Sequence, residues 1–121
     1  MSRTATIRIE PDESAWRSRV RGRMKQAGSR RRYQGEHFSF SSPAALFKVL
    51  SPKRWELIER LQAEGPLGAR ALARALQRDV KRVYDDCRAL LEVGLVERDA
   101  QGKLLVPFRE IRAEFVLGVV A

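Results

Sequence analysis

The chain has one cysteine, Cys87, and one histidine, His37, among 121 residues. A lone thiol cannot close an intramolecular disulfide, and one histidine without a cysteine cluster is no ligand set for structural zinc. No metal and no cofactor is expected. No apolar run approaches the ~20 residues that cross a bilayer, and the start of the chain carries no apolar signal segment. The expectation is a cytoplasmic protein without a membrane partner. Also missing are an acidic pair, a nucleophile constellation and a Gly-rich phosphate loop, and the glycines sit at the ends of elements. His37 lies beside a Phe-rich stretch and reads as a surface or packing residue, so no catalytic residue is assigned and the chain is not expected to be an enzyme.

Charge is present in excess and unevenly placed. The formal net charge is +9. Residues 1–35 hold ten Lys/Arg against three Asp/Glu, whereas residues 36–121 hold fourteen against twelve. Such a balance points to a polyanion or an acidic protein as partner and specifies no fold. With 44% hydrophobic residues, the length suits one compact domain, 36–121, preceded by a basic extension, 1–35.

Local patterns order the elements. "TATIRIEP" alternates, placing Ile7 and Ile9 on one face of a short edge strand that Pro11 ends. Asp12 can cap a helix over 13–27, where Trp16, Val20 and Met24 form a stripe at i, i+4 and i+8 beside Arg17, Arg21 and Lys25. "AGSRRRYQG" reads as a basic flexible linker, and "EHFSFSS" as a second short strand with Phe38 and Phe40 on one face. Ser42-Pro43 and Ser51-Pro52 each look like an N-cap and first helical position. The second of these opens a helix over 52–64 that directs Trp55, Ile58 and Leu61 inward and stops at Gly65-Pro66. A third helix spans Gly68 to Leu76 with Leu72 and Leu76 inward. Gln77-Arg78-Asp79 makes a turn, and Asp79 caps a helix whose buried stripe is Val80, Val83, Cys87, Leu90 and Leu91. Gly94 ends that helix at a C′ position. "LVER" and "KLLVP" form a hairpin around Asp99–Gly102, and Ile111, Ala113, Phe115 and Leu117 alternate as a closing strand, with a helix the other reading of that tail.

The pattern predicts an α+β fold: a winged helix-turn-helix with a short N-terminal strand and helix and a C-terminal strand that closes the domain or makes a dimer. In that geometry the last helix enters the major groove of double-stranded DNA by its N-terminal half. Its exposed residues there are Arg78, Lys81, Arg82, Tyr84, Asp85 and Arg88, suited to phosphates or base edges apart from Asp85, which with Asp86 opposes phosphates unless turned away. Arg70 and Arg74 would meet backbone phosphates from the preceding helix, and Lys103, or Arg98 beside it, would approach from the wing. The plainer reading is a solvated charged face, in which Arg82 and Asp86 form an i, i+4 pair.

Three stretches, "LFKVLSPKRWELI", "ALARALQRDVKRVYDD" and "LLEVGLVERD", together with the lead-in "FSFSSPAALF" and the tail "VPFREIRAEFVL", resemble the MarR-like winged helix-turn-helix transcriptional regulators typified by a haloarchaeal regulator family. More narrowly, they are similar to DNA-binding antitoxins of type II toxin–antitoxin pairs with a small ribonuclease-like toxin. The resemblance covers roughly 38–117. It implies a homodimeric repressor of its own operon, with Arg78, Asp79, Lys81, Arg82 and Tyr84 at recognition-helix positions and a cognate toxin as protein partner; Cys87 departs from the pattern and reads as packing. A repressor with no toxin, and a protein-binding module that never touches DNA, are the alternatives. Three roles stay open for the N-terminal third. Ile7, Ile9 and Trp16 could help make the dimer; Trp16, Val20 and Met24 could enter a toxin groove; and the Arg17–Arg32 stretch, with eight basic residues and no acidic one, could follow a DNA backbone.

Overall fold

The structure is a computed structural model that describes residues 3–10 and 35–118. Trp16, Val20, Met24, the expected helix over 13–27 and the Arg17–Arg32 stretch lie outside the described residues. Within them the fold is α+β, with four helices and two small sheets. The described residues fall into two compact units, one holding 3–10, 35–46 and 110–118 and the other 47–109.

The first unit is built on a sheet in the order β2-β1-β5, where β1 is Arg3–Ile9, β2 is Glu36–Phe40 and β5 is Phe108–Ala113. Strands β1 and β2 run parallel, in a register that sets Ala5 against Glu36 and Ile9 against Phe40. The ladder continues past the strand, where Glu10 N–H donates to Phe40 O at 2.8 Å. The expectation of an edge strand at Ile7 and Ile9 is corrected here: β1 is central. No proline interrupts 3–9, so both of its backbone edges can enter ladders. Ala5 and Ile7 are buried, each 1% exposed, while Ile9 is half-buried. Gly35 enters β2 at φ 84°, and a Cβ there would lie 2.7 Å from Thr4 Oγ1, so only glycine fits. Arg3 clamps Glu36 on the neighbouring strand with two hydrogen bonds, 2.9 and 2.7 Å long. The tail forms the expected strand only as far as Ala113; Phe115 and Leu117 lie beyond it.

Helix α1, Pro43–Val49, starts as expected, with Ser42 Oγ accepting from Ala45 N–H at 3.0 Å. The second unit follows with α2 (Pro52–Glu64), α3 (Ala69–Leu76) and α4 (Val80–Val93), then an antiparallel hairpin of β3 (Glu97–Arg98) and β4 (Leu104–Leu105). Ser51 makes no side-chain cap, leaving Pro52 to start α2 through its preset φ. The core is Leu57, Ile58 and Leu61 from α2, Leu72 and Ala73 from α3, Val83, Cys87 and Leu90 from α4, and Leu95, Val96 and Leu104 from the hairpin region. Each such leucine removed from water stabilises the unit by roughly 1.5–3 kcal/mol. Four residues expected inside are less buried. Trp55, Leu76 and Leu91 are half-exposed and Val80 is 40% exposed. The stripe on α2 is Leu57, Ile58 and Leu61, a helical turn that turns Trp55 to its margin.

The hairpin strands are shorter than the apolar runs that announced them. Leu95 and Val96 are buried without pairing, because Gly94 in the left-handed region turns the chain at the end of α4 and the N–H groups of Gly94 and Leu95 both close on Leu90 O. Asp99 organises the tip: its Oδ1 accepts from the N–H groups of Gln101 and Lys103, both at 2.9 Å. Leu67 and Leu104 exchange backbone hydrogen bonds of 2.9 and 2.8 Å, which ties the hairpin to the link between α2 and α3. Among the described residues no helix is long and apolar enough to cross a membrane.

Candidate functional site

The turn between α3 and α4 sets the most chemically loaded surface of the second unit. Gln77 adopts the left-handed conformation, φ 54° and ψ 48°, ending α3, and Arg78 N–H closes the turn on Ala73 O at 3.0 Å. Asp79 then caps α4 by accepting from Arg82 N–H at 3.2 Å. Val83, Cys87 and Leu90 are the inward face of α4, so the opposite face presents Lys81, Arg82, Tyr84, Asp85 and Arg88, all exposed. Tyr84 is 46% exposed, a large ring held at the surface. Arg70 and Arg74 are exposed on α3, and Lys103 is exposed on the hairpin. Arg98, also exposed, donates to Gly102 O at 3.2 Å and so braces the hairpin tip.

Arg78 departs from the expectation of an exposed groove residue. Its side chain is only 14% exposed, and Nη2 donates to Asp86 Oδ2 at 2.7 Å. The other Asp86 oxygen accepts from Arg54 Nε of α2 at 3.0 Å, and Arg54 Nη1 reaches Val49 O at 2.7 Å. Asp86 therefore pairs with Arg54 and Arg78, not with Arg82 at i−4. Its negative charge is spent inside the unit. Among the described residues Lys81, Arg82 and Arg88 have no ion-pair partner, nor do Arg70 and Arg74.

Beside this trio lies an open cleft of about 250 Å³, lined by Ser51, Lys53, Arg78, Arg82, Asp85 and Asp86. It brings Lys53, in the first turn of α2, near Arg82. The sequence reading missed Lys53, because its position just after a Ser-Pro helix start signals only where the helix begins. Cys87 is 1% exposed, and burial, reinforced by the neighbouring Asp86 carboxylate, pushes its thiol from 9.0 up to about 11. It packs. Among the described residues no three His, Cys, Asp or Glu side chains converge as a metal site requires. Of the candidate arm residues, Ile7 is sealed in its sheet and Ile9 keeps part of its surface open.

The geometry defines an α+β protein whose α4 carries an exposed basic face with no ion-pair partner among the described residues. The HVO_A0114 family matches residues 49–113, more than half of the chain, and the chain belongs to that family. The matched segment takes in α2, α3, α4, the hairpin and β5. No curated protein and no solved structure matches the chain.

Proposed function

We propose that residues 52–107 act as a winged helix-turn-helix and that the chain is a sequence-specific DNA-binding antitoxin that represses its own operon. In this reading α4 enters the major groove as the recognition helix and the β3–β4 hairpin is the wing. The observation that carries it is the outer face of α4, where Lys81, Arg82 and Arg88 flank Tyr84 and have no ion-pair partner among the described residues. Internal neutralisation of Asp86 supports it, since that removes one of the two carboxylates that would otherwise repel phosphate. Arg70 and Arg74 add phosphate contacts from α3. Arg78 acts as a brace for α4.

The antitoxin part rests on the resemblance described above and on the basic excess of residues 1–35, which suits a second partner. The second reading is a stand-alone winged-helix repressor, favoured by a family match that begins only at residue 49 and leaves that segment outside. Binding to the DNA upstream of its own gene and to scrambled DNA, each across a salt series, tests the shared core. Preference for the upstream fragment near physiological salt supports a specific regulator; equal binding that collapses with salt overturns it. Neutralisation of a neighbouring gene's toxic product by the full chain, lost when residues 1–35 are deleted, separates the antitoxin from the plain repressor.

A further inference from the structure

Strand β5 is the last strand of its sheet, and among the described residues no strand pairs with its outer edge. We infer that this edge is an interface for a second copy of the chain, joined antiparallel across a two-fold axis at Ile111. The inference concerns strand β5 and holds or fails independently of DNA binding by α4.

Backbone direction narrows the possibilities first. Just past the strand, Glu114 N–H donates to Ile7 O at 3.2 Å, toward β1. The two-residue repeat of a strand then points the backbone groups of Glu110 and Arg112 toward β1, and those of Ile111 and Ala113 outward. An antiparallel partner must oppose outward residues to outward residues, so a two-fold pairing can only be centred on a strand residue.

Charge then selects among the centres. A centre at Glu110 opposes two carboxylates, and a centre at Arg112 opposes two guanidiniums; like charges directly opposite are destabilising. With Ile111 at the centre, Ile111 meets its own copy as a hydrogen-bonded pair, and Glu110 meets Arg112 of the second copy twice. Those two pairs fall at the closer, non-hydrogen-bonded positions, where Cα atoms are ~4.5 Å apart. Both side chains are exposed and have no ion-pair partner among the described residues. A centre at Ala113 also matches charges, Arg112 to Glu114, but it needs residues beyond 113 to be extended strand, and β5 ends there. Edge charges commonly block such pairing; here their order is self-complementary in one register and repulsive in its neighbours.

The test uses the full chain without DNA. Sedimentation of the wild type should give a dimer. Glu110→Arg and Arg112→Glu should each weaken it about tenfold, and the double exchange should restore it to within about threefold. Ile111→Cys treated with a short bifunctional thiol cross-linker should form a covalent dimer, since the two Cα atoms of such a pair lie ~5.5 Å apart. Ala113→Cys should not, because its two copies lie ~13 Å apart along the strands. A monomer at all concentrations, a dimer indifferent to both charge reversals, or cross-linking through 113 and not 111 would each overturn the proposal. The wild type, whose one thiol is the buried Cys87, is the control.

Discussion

Arg78 and Asp86 are eight residues apart, and their side chains meet at 2.7 Å between Nη2 and Oδ2. With Arg54 on the other oxygen, the carboxylate joins the start of α2, the turn after α3 and the middle of α4. All three side chains are 23% exposed or less, so solvent offers little replacement for a missing partner. Asp86→Ala should lower stability by about 3 kcal/mol in urea denaturation, because it strands two guanidiniums. Arg78→Ala made in the same background should cost less than half of what it costs alone. Additive losses would mean that the pair is not coupled.

Arg78 and Arg82 should part company in function. Under the proposed DNA reading, Lys81→Ala with Arg82→Ala removes two exposed cations and should flatten the dependence of log K on log salt by about 1.8, with the melting temperature unchanged. Arg78→Ala should do the reverse, lowering the melting temperature first. Unchanged DNA affinity at every salt concentration in the Lys81/Arg82 double variant would remove α4 from the interface.

Gln77 holds a positive φ that a Cβ disfavours. Gln77→Gly should therefore stabilise the second unit by about 1 kcal/mol, visible as a rise of about 4 °C in thermal melting. A lower melting temperature would contradict the left-handed end of α3.

Cys87 should be inert in the folded chain. Its thiol, raised to about 11 by burial and then by Asp86, stays protonated at pH 8, so an aromatic disulfide reagent should find no thiol until denaturant is added and one afterwards. The sign of the pH effect follows. Folding suppresses ionisation of this acid, so its contribution to stability is whole below pH 9.0 and is lost as pH rises to about 11. Cys87→Ser or Cys87→Ala should remove that decline from the alkaline limb; an unaltered limb would assign it to other groups.

Much of the second unit was legible from short-range rules. Pro52, Gly65, Asp79 and Gly94 mark ends of helices because each acts on its own backbone or on neighbours within four residues. The inward residues Ile58, Leu61, Leu72, Val83, Cys87 and Leu90 follow from helical spacing alone. For the same reason the exposure of Lys81, Arg82, Tyr84 and Arg88 was readable: it is the complement of that stripe.

Spacing could not say how deep the flanks of a stripe lie. Val80 and Trp55 sit near the buried face in projection, and their exposure depends on what the neighbouring elements cover.

What only the tertiary structure decided are the partnerships across long separations. β1 is central because its neighbours come from residues 36–40 and 108–113, and a strand's alternation carries no information on how many edges are paired. Arg78 is a brace because Asp86 lies in reach, and Asp86 is doubly paired because Arg54, thirty-two residues away, meets it. A long flexible cation looks the same in sequence whether it faces water or a carboxylate. The direction of its charge is settled by packing.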